Sequence, residues 1–337
     1  MIFFSWQTNA KAKSQFIEHV LFKTIRFILD SQSRQLSTKT SNLFSSVIEY
    51  GAQSVKKLFI YQSKENLFIP EQMDVFFQEL KPIFSNIKMI DVDIHGNLAA
   101  IIDVNVPLND LLILPFLETL KLKTTITNVA LIFLCAKTPN IKNVVFNFER
   151  MNEHGVYLVK HRVGHFLKTN RLSLVNIHIA ILYFENFSTP TAKQDFSSQL
   201  EFPACETVFF KGTNTNISPL TSVISSVLRG QCVQNVTLGA DSVKCLFNMK
   251  IIFSAKNIKL FNDSSSLIRH SLDLLTFVKI FPYWQKLWIN GFSLFNYSAL
   301  NNPDGLIRLK NIANLGPQEY NELFTLSKIV DILFEGL

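Results

Sequence analysis

Glycine is scarce in this chain, 11 residues among 337, and the motifs built on it are missing. Neither G-x-G-x-x-G nor G-x-x-x-x-G-K-[ST] occurs, so the two Gly-rich phosphate cradles of nucleotide-binding α/β folds are excluded. No G-x-S-x-G is present, which removes the nucleophile elbow of the α/β hydrolases. The four cysteines, Cys135, Cys205, Cys232 and Cys245, stand far apart without a C-x-x-C pair. That argues against a disulfide framework or zinc finger and for buried, reduced thiols. The longest apolar run, 129–136, is far short of the roughly 20 residues a membrane span needs. Residues 1–6 are largely apolar but lack the basic region and the full-length hydrophobic region of a signal peptide. An intracellular protein, cytoplasmic or nuclear, is therefore expected. The N-x-S/T sequons at Asn186, Asn216, Asn235, Asn262 and Asn296 should then stay unmodified.

Apolar residues, by contrast, are plentiful. They make up 47% of the chain against 18% charged, which is ample material for a core and unlike a disordered chain. A length of 337 residues suits two domains or one elongated array of repeats. The formal charge of +7 favours acidic partners in general, and is too mild to establish nucleic-acid binding.

Residues 1–50 read as a helical N-terminal cap. Phe16, Val20 and Phe27 follow helical spacing, with Ser14 as N-cap of a helix over 14–30, and a second amphipathic piece lies at 43–50. Up to Lys57 this region has an excess of five basic residues over acidic ones. We read that excess as a solvated helical face rather than a membrane or nucleic-acid arm.

From residue 55 one pattern recurs, h-x-x-h-x-h with h apolar. It is carried by Val55/Leu58/Ile60, Ile87/Ile90/Val92, Leu117/Leu120/Leu122, Ile141/Val144/Phe146 and Leu172/Val175/Ile177. It continues at Cys205/Val208/Phe210, Val233/Val236/Leu238, Ala255/Ile258/Leu260 and Trp284/Leu287/Ile289, with a degenerate tenth from Leu306. Starts are 22 to 33 residues apart, the range of a solenoid with one short strand and one helix per unit. Helices are predicted between them at 71–84, 128–136, 152–168, 219–228, 264–281 and 317–334. A doubly wound sheet would bury both strand faces. Here Lys121, Asn143, Asn235, Lys259 and Lys286 alternate with the apolar residues, so one face is wet.

These segments resemble an irregular leucine-rich-repeat protein over 51–337, and are similar to the repeat half of F-box/leucine-rich-repeat substrate receptors. Phe, Ile and Val replace many leucines, and the N-terminus lacks the Leu-Pro-rich opening of an F-box. The resemblance implies an α/β horseshoe of about ten strand-helix units. It also implies a substrate-recruiting adaptor, with ligase subunits as partners by analogy alone.

Catalytic signals are few. His154, His161 and His165 share one face of the predicted helix at 152–168, but no H-E-x-x-H accompanies them, so a solvent-facing helix is the preferred reading. Asp91 and Asp93 alternate on one strand without a second acidic element to pair with. We therefore expect no enzyme activity, no metal and no cofactor. In each h-x-x-h-x-h strand the third, fifth and seventh positions face the concave side. There the sequence places Phe59, Tyr61, Lys121, Lys123, Phe209, Lys211, Lys259, Phe261, Lys286, Trp288, Arg308 and Lys310. Basic side chains among aromatic anchors suit a protein partner with an acidic surface. The alternative is a nucleic-acid-binding solenoid, with cations on phosphates and rings on bases.

Overall fold

The computed structural model describes residues 24–29, 55–62, 80–94, 112–125, 127–149, 153–182, 201–212, 227–228, 233–240, 242–243, 252–262, 270–312 and 315–335. The chain divides into two compact units, Met1–Lys142 with Met151–Gly155, and Asn143–Arg150 with Val156–Leu337.

In the first unit, four strands lie side by side in chain order: β1 (Thr24–Leu29), β2 (Lys57–Gln62), β3 (Met89–Ile94) and β4 (Thr119–Thr124). Each pairs in parallel with the next. The recurring pattern explains why. Leu58 and Ile60, Ile90 and Val92, and Leu120 and Leu122 alternate with residues of the other strand face and stand opposite one another in register. All six side chains are fully buried, and each contributes about 1.5–3 kcal/mol by leaving water. The first apolar residue of each hexamer, Val55, Ile87 or Leu117, is buried ahead of its strand. Two short helices cover this layer, α1 (Lys81–Phe84) and α2 (Thr127–Leu134). They meet through an edge-on contact of Phe84 with Phe133, ring centres 6.4 Å apart.

The second unit repeats the arrangement with eight strands. They are β5 (Asn143–Glu149), β6 (Asn176–Leu182), β7 (Thr207–Gly212), β8 (Asn235–Gly239), β9 (Asn257–Phe261), β11 (Lys286–Asn290), β13 (Leu306–Lys310) and β14 (Asp331–Glu335). All neighbours are parallel. A separate parallel pair joins β10 (Ser271–Asp273) to β12 (Ser293–Phe295). Helix α3 (Glu153–Thr169) buries Val159, Val163, Phe166 and Leu167, the stripe its sequence spacing predicts. Phe166 meets Phe146 of β5 edge-on at 5.6 Å. Helices α4 (Leu274–Ile280) and α5 (Pro317–Leu326) follow.

Several expectations are corrected. The helix read over 14–30 is, at Thr24–Leu29, strand β1 paired with β2. Its alternating Ile25, Phe27 and Leu29 suit a strand, and the decisive partner lies far along the chain. The rest of that helix, the piece at 43–50, most of the helices at 71–84 and 219–228, and Cys232 and Cys245 lie outside the described residues. Of the helix expected over 264–281, residues 264–269 lie outside the described residues, Ser271–Asp273 forms strand β10, and the helix begins at Leu274 with Asp273 as its N-cap. The helix expected to reach 334 stops at Leu326, and Asp331–Glu335 forms strand β14 against β13. The crossover from β11 to β13 contains β12 and a 3-10 turn at Tyr297–Ala299, with no α-helix. One helix per unit is thus not general.

Two repeat frames also shift. Leu172 is 65% exposed, while Leu174, Ile177 and Ile179 are buried, so this hexamer starts at Leu174. In the last one Ile307 and Leu309 are the buried pair, and Leu306 is not. Both slips are by two residues. The side-chain period of a strand is also two, so Asn176, His178, Arg308 and Lys310 keep the open face, whereas Leu172, Leu174 and Leu306 change places.

Candidate interaction face

One face of each sheet is the buried side just described. The other carries the third, fifth and seventh residues of every hexamer, and is only partly covered. Register places these residues in three rows running across the strands.

In the first unit this open face is largely self-neutralised. Asp91 stands opposite Lys121 and Asp93 opposite Lys123 on the adjoining strand, with Nζ to carboxylate distances of 3.6 and 3.3 Å. Burial raises the Asp91 pKa above its ordinary value, outweighing the attraction of Lys121. Phe59 and Tyr61 lie on β2 with ring centres 6.0 Å apart. The Glu118 carboxylate, at the start of β4, bridges Lys88 at 3.0 Å and Lys142 at 3.8 Å. Lys121 and Lys123, read from the sequence as partner-binding, are therefore already engaged by acids of their own sheet.

The second unit differs. Its middle row runs Val145, His178, Phe209, Thr237, Lys259, Trp288, Arg308. The His178 and Phe209 rings stack with centroids 3.8 Å apart and planes 2° from parallel. Burial lowers the His178 pKa, favouring the neutral ring. Phe209 also stacks with Phe261, 5.6 Å away, although β8 lies between their strands. The reach is possible because β8 presents only Thr237 and Gly239 there. Lys211 Nζ lies 6.0 Å from the Phe261 ring centre. Lys259 Nζ sits 3.4 Å from the Trp288 ring centre, and burial lowers its pKa.

Lys259, Lys286, Trp288 and Arg308 line a shallow groove of about 390 Å³ together with Asn235, Thr237 and Asn257. Among the described residues from β6 to β13 the open face carries no carboxylate. Lys211, Lys259, Lys286, Arg308 and Lys310 are its cations. The structure thus brings eight of the residues proposed from sequence into one face: Phe209, Lys211, Lys259, Phe261, Lys286, Trp288, Arg308 and Lys310.

Sequence reasoning missed two features of this face. His178 is not among the residues expected from sequence, because a pattern of Lys, Arg, Phe, Tyr and Trp passes over a histidine. The second is a polar ladder along the first row. Asn176 donates to Asn143 Oδ1 at 2.6 Å, Asn235 to Thr207 Oγ1 at 3.4 Å, and Asn257 to Asn235 Oδ1 at 3.0 Å. Stacked amides of this kind lock neighbouring strands in register. Its sequence signal is h-x-N-h-x-h, present at Ile141, Leu174, Val233 and Ala255. The same signal would have selected Leu174 over Leu172.

The remaining candidates stay apart. His165 is exposed and His161 half-buried on α3, and the His154 side chain is outside the described residues. No group of three His, Cys, Asp or Glu able to hold a metal is found among the described residues. Cys135 and Cys205 are not in disulfides. No described helix is long and apolar enough to cross a membrane. No protein-family model matches the chain, and the search of curated proteins finds no match either.

Proposed function

We propose that this chain is a non-enzymatic interaction protein of the leucine-rich-repeat type. In this reading the successive parallel strands are solenoid units, their open face is concave, and the second unit holds a protein partner with an acidic surface there. The observation that carries the proposal is the composition of that face: cations interleaved with aromatic rings and, among the described residues from β6 to β13, no carboxylate. Half-buried aromatic rings anchor a partner by desolvation, and the surrounding cations select for negative charge. A substrate-recruiting adaptor is the concrete form of this reading, supported by the resemblance of the repeat segments.

The stacking pattern weighs against nucleic acid. Bases need open ring faces, whereas His178, Phe209 and Phe261 stack on one another and Lys259 covers Trp288. Affinity capture with mass spectrometry, comparing wild type with Lys259→Ala/Trp288→Ala, tests the proposal. Acidic proteins should be retained by wild type and lost from the variant. An unchanged set of captured proteins, with folding intact, would refute the assignment of the face.

A further inference from the structure

Resting on that reading, the layout of the face specifies the kind of segment it would take. Two different surfaces adjoin one another. The first is apolar: the Phe209 and Phe261 rings meet above β8, over Thr237 and Gly239. The second is the cationic groove, where Lys259, Trp288 and Arg308 stand directly opposite one another on β9, β11 and β13. Trp288 forms its centre and Lys286 precedes it on the same strand face.

Their separation follows from sheet geometry. Neighbouring strands are about 4.8 Å apart, so Lys259 lies about 5 Å and Arg308 about 14 Å from the line of β8. An extended chain advances about 3.3 Å per residue, so about four residues connect the apolar platform to Arg308. Guanidinium pairs with carboxylate in a bidentate fork, which makes Arg308 the stronger acid-binding end.

We infer that the face recognises an extended acidic–hydrophobic peptide laid across the strands. Its apolar side chain rests on the Phe209–Phe261 platform, and its carboxylates reach Lys259 and Arg308 up to about four residues away. The groove is shallow and open along the row, which suits a linear segment better than an enclosed small molecule.

The test uses the full chain and labelled synthetic peptides, each with one Leu and one Glu-Glu pair separated by zero to eight Gly/Ser residues, read by fluorescence anisotropy. Affinity should peak at separations of about three to four residues and fall about tenfold at either extreme. Arg308→Ala should erase the preference for the Glu-Glu peptide over its Gln-Gln counterpart. Phe261→Ala should erase the preference for Leu over Ser. Acidic peptides that bind equally at every separation would overturn the motif and leave the acidic-partner reading standing. If no acidic peptide binds, or a single-stranded oligothymidylate binds in their place, both are overturned.

Discussion

The Lys259 ammonium on β9 lies 3.4 Å from the centre of the Trp288 ring, its direct opposite on β11. Such a contact is worth about 0.5–1 kcal/mol where water still reaches it. A double-mutant cycle of Lys259→Met and Trp288→Leu, followed by urea unfolding, should return a coupling energy of about that size. A coupling near zero would show that the two side chains are only neighbours.

Gly305 has no room for added volume. A Cβ there would lie 2.5 Å from Cη2 and Cζ3 of Trp284 and 3.0 Å from the carbonyl of Asn302. Trp284 is buried and accepts a hydrogen bond from Asn302 Nδ2 through its own carbonyl. Gly305→Ala should cost about 1–3 kcal/mol by overpacking. Gly239→Ala is the contrasting case. Its Cβ would meet Lys211 atoms at an ordinary 3.5 Å, so its stability should stay within about 0.5 kcal/mol of wild type.

His178 makes the second unit sensitive to acid. Burial holds its folded-state pKa below the usual 6.5. As pH falls through the ordinary histidine value, the unfolded chain takes up a proton before the folded one, and stability declines until the folded pKa is passed. His178→Phe keeps a ring against Phe209 and removes this titration. Between about pH 7.5 and pH 5.5, melting temperature should drop less for the variant than for wild type.

Asp273 caps α4 and ties it to the loop before the 3-10 turn. Its carboxylate accepts from the Leu275 amide at 3.0 Å, Thr276 Oγ1 at 2.6 Å and Asn296 Nδ2 at 2.8 Å. Burial acts to raise its pKa, but these hydrogen bonds outweigh it and leave the value below 3.8. Asp273→Ala should cost about 0.5–2 kcal/mol at neutral pH. The difference from wild type should shrink as acid protonates the carboxylate, which chemical unfolding at several pH values would show.

Much of this arrangement was legible in the chain itself. The h-x-x-h-x-h pattern found β2 through β9, β11 and β13, because burial of one face imposes a period of two that survives a two-residue slip. It missed β1, β10, β12 and β14, whose strand character shows only in their pairing. Ile25 through Leu29 satisfy a helical stripe and a strand alternation equally well, and only pairing with β2 decides between them. The charge count was legible, but its distribution was not. Lys121 and Lys259 look alike in sequence, yet one meets Asp91 across the strand and the other meets Trp288. Cross-strand neighbours depend on register between segments about 30 residues apart, which no local pattern records.

That difference between the two units gives the most direct test of the account. Lys121→Gln/Lys123→Gln and Lys286→Gln/Arg308→Gln remove the same formal charge from the same kind of strand face. Partner capture by each variant should be compared quantitatively with wild type, with folding confirmed by circular dichroism. The account predicts that the first variant keeps its partners, since its lysines already serve Asp91 and Asp93, while the second loses them. Equal loss from both, or loss from the first alone, would contradict it.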